Sequence, residues 1–216
     1  MSQFALPLDI ESTAQAGGYL VTACNAEVHA KLEDWRHWPN HSAILIGGAG
    51  SGKHTMAEAF AKHSGGQFVR NADNVPADEL FHLWNQAQAE AFPLLFLSSR
   101  NVSDWDISLP DLKSRVAASL LIEIGEPDEA MIAGLFQKYF ALRGISISED
   151  ALTYLSKRIE RSYQNVQLLA QKMNILAIEK KKPVTRAIAM EILAQHQSDT
   201  SSDVLAPNAT PNGEEK

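Results

Sequence analysis

Ala43-Ile44-Leu45-Ile46-Gly47-Gly48-Ala49-Gly50-Ser51-Gly52-Lys53-His54-Thr55 decides how this chain is read. Four apolar residues run into glycines, then a lysine, then helix formers from Met56 to Lys62. That is the layout of a phosphate-binding loop between a buried strand and a helix. Gly47, Gly52 and Lys53 satisfy G-x-x-x-x-G-K-[ST], and His54 stands where the pattern has a hydroxyl residue. Glycines let backbone N–H groups converge on phosphate oxygens, the helix N-terminus adds partial positive charge, and Lys53 supplies a full charge. Gly47, Gly48, Ala49, Gly50, Ser51, Gly52, Lys53, His54 and Thr55 are therefore the candidate nucleotide-binding residues.

Working outward, the apolar runs at 43–46, 67–70, 94–97 and 120–124 alternate with helical patterns. These run from Asn25, expected as a helix cap, to about Trp38; from the loop to Ser64; from Pro76 to about Ala91; and over Asp111 to Ala117. Alternation of this kind predicts an α/β domain, a mainly parallel sheet with helices on both faces, spanning residues 19–125. After Gly125 only helical periodicity remains, which predicts an all-α domain over 126–197. Its helices fall near 128–142, 148–160, 164–181 and 185–196, with Ser148 capping the second. Residues 1–18 read as an extended peptide and linker, and 198–216 as a disordered tail.

The 216 residues are 45% hydrophobic and 21% charged, with a net charge of −7. That composition suits one or two domains with a real core and excludes a globally basic nucleic-acid binder. The lone cysteine, Cys24, forms no disulfide framework and is expected to be a small buried residue. There is no apolar run long enough to span a bilayer and no signal-peptide pattern, so the expected location is the cytoplasm, without membrane attachment.

Hydrolysis asks for more than a cradle. The hydroxyl after the lysine ordinarily ligates Mg²⁺, which prefers oxygen ligands, and His54 offers none. Thr55 lies about 100° further around the helix. The strand at 67–69 is followed by Arg70 and Asn71 rather than acids, and Asp73 is expected to cap the next helix. These residues predict nucleotide binding without efficient hydrolysis, or a vestigial site.

The chain resembles the small DnaA-related AAA+ proteins of bacteria, the Hda type that drives inactivation of the replication initiator DnaA. Gln3-Phe4-Ala5-Leu6-Pro7-Leu8 is similar to that family's clamp-binding peptide. Gly50-Ser51-Gly52-Lys53-His54-Thr55 resembles its phosphate loop with threonine and histidine exchanged. Leu109-Pro110-Asp111-Leu112-Lys113-Ser114-Arg115 resembles the segment that ends in its arginine finger. The resemblance covers about residues 3–196. It implies a truncated AAA+ base followed by a helical lid. It also implies a sliding-clamp contact through Gln3, Phe4, Leu6, Pro7 and Leu8, with DnaA as the second partner. Arg115 would act in trans as the catalytic arginine on DnaA-bound ATP.

The family's acidic pair falls at Arg70 and Asn71, its sensor arginine at Gln164 (with Arg161 one turn earlier), and its polar sensor at Ser98 and Ser99. ADP, or ATP, is the implied cofactor, with ADP preferred and Mg²⁺ not expected to be firmly held. DnaA's helix-turn-helix has no match here, so sequence-specific DNA contact is not expected. The resulting reading is a negative regulator of replication initiation. Two alternatives stand beside it: a P-loop ATPase with an unusual metal site at His54 or Thr55, and an interaction paralogue that works without nucleotide.

Overall fold

The computed structural model describes residues 18–203, with side chains for 18–198. Gln3 to Leu8 and the segment beyond Asp203 lie outside the described residues. Four strands form one parallel sheet: β1 (Ser42–Ile46), β2 (Gln67–Val69), β3 (Leu94–Ser98) and β4 (Leu120–Glu123), in the order β2-β3-β1-β4. β1 lies between β3 and β4, with Ile44 beside Phe96 and Leu121. Every residue of β1 and β3 is buried, which is why both read as unbroken apolar runs rather than alternating ones.

Right-handed crossover geometry places helices on the two faces. α1 (Ala26–Glu33) and α2 (Lys53–Ser64) pack with Ala43, Leu45, Leu95 and Leu97. α3 (Ala77–Glu90) and α4 (Pro110–Ala117) pack on the opposite face with Ile44, Leu94 and Phe96. The all-α region has its own core around Phe136, Phe140, Leu169 and Met173. It is built from α5 (Glu129–Ala141), α6 (Glu149–Ser156), α7 (Tyr163–Lys180) and α8 (Arg186–Asp203). No helix among the described residues is long and apolar enough to cross a membrane.

Several local expectations are corrected. The first helix stops at Glu33 and gives way to a 3-10 turn at Trp35–His37. Asn25 does not cap it: its Oδ1 accepts from Thr22 N and its Nδ2 donates to Leu20 O, so it braces the preceding turn. α6 is shorter than its pattern, and α8 runs on to Asp203, through the first residues of the expected tail. Cys24 is half-buried, with its Sγ 3.2 Å from Thr22 Oγ1. Ser148 does cap α6, accepting from Ala151 N.

Asp128 and Leu20 are among the contacts that join the two regions. The Asp128 carboxylate, which caps α5, accepts from Met131 N at 2.6 Å and also from Thr22 Oγ1 and Cys24 N across the junction. Leu20 lies over Gly134 of α5, where an added Cβ would meet its side chain at 3.2 Å.

Candidate functional site: a phosphate loop beneath the helical domain

The loop lies at the carboxyl end of β1, and Gly47 N donates to Ser98 O of neighbouring β3. Gly47 is dictated by contact: a Cβ there would meet Ser51 Oγ at 2.5 Å and Ile124 Cδ1 at 3.0 Å. Gly50 is dictated twice, by a φ of +78 and by the α7 backbone, with Tyr163 C 3.3 Å from where its Cβ would be. Gly52 precedes the first turn of α2 with no side chain capping it, which leaves that helix's first N–H groups to serve a ligand. Ser51 is buried, and its Oγ has no hydrogen-bond partner.

Lys53 is buried, with Nζ donating to Gly47 O at 2.8 Å and Gly48 O at 3.2 Å. Burial pulls its ammonium below the usual lysine range, and the negative charge of Asp73 offsets part of that. His54 is exposed at the start of α2. Desolvation, then Lys53 and Arg70, hold its imidazole below the ordinary histidine value, and Glu58 opposes them.

A cavity of about 250 Å³ opens between the loop and the helical region. Gly50, Ser51, Gly52 and Thr55 form its polar end; Tyr19, Leu20, Met56, Met131, Leu135 and Tyr163 supply the apolar walls. An apolar slot ending in a phosphate cradle is suited to a flat ring carrying a phosphate chain. Burial raises the Tyr19 phenol to about 12, and that of Tyr163 also rises for the same reason, so both walls stay uncharged.

Neither His54 nor Asp73 offers a ready ligand for Mg²⁺. His54 brings nitrogen where an oxygen is needed. Asp73 does not cap α3, whose N-cap is Pro76. Its side chain is only 3% exposed and is paired with Arg100, Nε to Oδ2 at 2.8 Å. A carboxylate already neutralised by a guanidinium is a poor cation ligand. Sequence reasoning missed this pair because its members lie on different connections, after β2 and after β3. Arg100 Nη2 also donates to Asp73 O and to Asn74 Oδ1. Ser98 is fully buried and spends its hydroxyl on the Arg100 backbone.

Elsewhere, Arg161 pairs with Glu129 at 3.7 Å rather than reaching the loop, while the backbone of Gln164 does approach it, at Gly50. Arg115, at the end of α4, is half-buried. It lies over the rings of Trp84 (4.2 Å) and Phe81 (4.5 Å) and donates to Asn85 Oδ1 at 2.5 Å.

This is the fold of the AAA+ domain of DnaA, a parallel P-loop sheet with an attached helical region. Domain III of the Thermotoga maritima replication initiation protein DnaA superposes with a TM-score of 0.67 at 16% identity, covering 88% of this chain and 98% of that one. AMPPCP-bound DnaA from Aquifex aeolicus gives 0.58 at 13% identity, covering 76% and 65%. In sequence, the chromosomal replication initiator protein DnaA of Ehrlichia ruminantium (strain Gardel) is 26% identical over 142 residues, 66% of this chain and 29% of that protein. The chain thus spans under a third of the length of the curated relatives it matches. No protein-family model matches it.

Proposed function

We propose that this protein binds an adenine nucleotide between its base and its helical lid and regulates replication initiation as a DnaA-related AAA+ module. One observation carries the nucleotide reading: the cavity whose walls are mostly apolar, with Lys138 and Arg143 also on its lining, and whose floor is Gly50, Ser51, Gly52 and Thr55. The analogue-bound DnaA of similar fold supports it. The loss of oxygen donors at His54, with Asp73 committed to Arg100, favours a resident ADP and disfavours hydrolysis in cis.

In the finer reading, Gln3–Leu8 holds the protein on the sliding clamp, and Arg115 acts in trans on ATP bound by DnaA. The segment Leu109–Arg115 and the position of α4, leading directly into edge strand β4, support that role. The guanidinium must leave Trp84 and Asn85 to reach a second molecule, an exchange of roughly 1 kcal/mol for a partly exposed cation–π contact.

Melting curves with ADP test the first part. ADP at 100 times its dissociation constant stabilises by about 2.7 kcal/mol, and Lys53→Ala is expected to remove the shift. For the second part, DnaA ATP hydrolysis is measured on clamp-loaded DNA. This protein is expected to stimulate it, and Arg115→Ala to abolish the stimulation with clamp binding unchanged. Full stimulation by that variant would sink the role of Arg115.

A further inference from the structure

β4 is an edge of the sheet: it pairs with β1 and, among the described residues, with no other strand. Leu45 lies opposite Ile122, and Ile124 N donates to Ile46 O at 2.8 Å. In a parallel pair successive residues turn their backbone groups to opposite sides. Ile122 and Ile124 therefore serve β1, while Leu121 and Glu123 present N–H and C=O outward. An open edge of this kind is a template for one more strand. Leu121 is 48% exposed, and no other large apolar strand residue is so open among the described residues.

Beside that edge lies a hollow of about 300 Å³ between β4 and α1. Cys24, Val28 and Ile122 supply its apolar part, and Glu27 and Lys31, paired at 2.7 Å, line it together with Glu123. Such a hollow takes apolar side chains from a strand laid along β4. A peptide without carboxylates meets no repulsion there from Glu27 and Glu123.

The chain carries a peptide of that chemistry. Phe4, Leu6 and Leu8 alternate with Gln3, Ala5 and Pro7, which gives an extended peptide one apolar face, and no residue from Gln3 to Leu8 is charged. Pro7 has no N–H to donate. When Leu6 and Leu8 turn theirs to β4, Pro7 faces outward, where an edge strand tolerates it. The tether is also long enough. The described chain begins at Gly18, whose carbonyl accepts from Lys138 of α5, and Cys24 on the hollow is six residues further on. Those six residues span at most about 21 Å, and the stretch from Asp9 to Gly17 at most about 32 Å, so Leu8 can reach the hollow. A tether this short holds its peptide at an effective concentration on the order of millimolar.

We propose that the segment 4–8 of this chain adds to the sheet as a fifth strand, bonded to Leu121 and Glu123 of β4 with its apolar side chains over the hollow, and that this edge competes with the sliding clamp for the peptide. The competition rests on the clamp reading above; the strand pairing does not.

The test is residue-resolved hydrogen exchange of the full chain. In the wild type the Leu121 and Glu123 amides are expected to be protected. In Leu6→Asp/Leu8→Asp their exchange is expected to accelerate about tenfold or more, while Ile122 and Ile124, bonded to β1, keep their protection and report an intact sheet. Saturating sliding clamp is expected to release Leu121 and Glu123 in the wild type in the same way. Equal exchange of these two amides in wild type and variant overturns the docking. Protection that fades on dilution of the protein assigns the edge to a second copy and overturns the intramolecular strand. Protection that survives while the clamp is bound overturns the competition. A clamp that does not bind overturns the clamp reading, and the strand pairing is then decided by the variant alone.

Discussion

His54 stands in the first turn of α2, where desolvation first, and then the charges of Lys53 and Arg70, disfavour its protonated form. Its folded value lies below the 6.5 of a free histidine, so between the two values the unfolded chain binds more protons. Stability from this residue is therefore complete above pH 6.5 and is lost as pH falls through the folded value. Urea melts of wild type and His54→Gln, taken from pH 7.5 downward, are expected to diverge below about 6.5, the wild type losing more. Parallel curves would show that His54 does not feel its neighbours. Arg115 shows the other face of single-residue reading. Its place after Leu109–Ser114 is visible in the chain, but its stacking on Trp84 and Phe81 is a meeting of two helices.

At the level of elements, the loop and α7 meet at Gly50. A side chain there is opposed both by φ +78 and by the Tyr163 and Gln164 backbone, whereas Gly48 has nothing within 4 Å of its would-be Cβ and no positive φ. Gly50→Ala is expected to cost about 1–2 kcal/mol from the left-handed conformation alone, before α7 is displaced. Gly48→Ala is expected to stay within about 0.5 kcal/mol. Chemical denaturation of the two variants decides the matter, and equal losses would contradict the contact between loop and helical region. The caps follow the same logic. Ser148 succeeds because its hydroxyl faces only its own helix turn, while Asn25 is claimed by Thr22 and Leu20 before it can serve α1.

For the whole molecule, the decisive joint is Asp128. It caps α5 and also takes Thr22 Oγ1 and Cys24 N from the strap that leads into the α/β region. Thr22 and Cys24 continue from Tyr19 and Leu20, two walls of the apolar cavity. Asp128→Ala removes both a helix cap and the joint, for an expected loss of about 2–3 kcal/mol. If the joint holds the cavity closed, ADP binding weakens by more than it does in Ser148→Ala, which loses a cap alone. Equal nucleotide affinity in the two variants would reduce Asp128 to a cap.

Sequence alone determined the order and type of nearly every element, because buried strands and amphipathic helices write their periods locally. The run Ala43–Ile46 followed by Gly47–Lys53 fixed the strand, the loop and the start of α2 in one stretch. After Gly125 the pattern turns wholly helical for the same reason, and only helices follow among the described elements. What only the tertiary structure decided were the partners of polar groups. Asp73 turned from a cap into the counter-ion of Arg100, and Arg115 into a guanidinium stacked on α3. The apolar cavity came into being where Tyr19 and Leu20 meet Met131 and Tyr163. A hydrogen bond or an ion pair joins residues far apart in the chain at contact distance, and no local period records which two the fold will bring together.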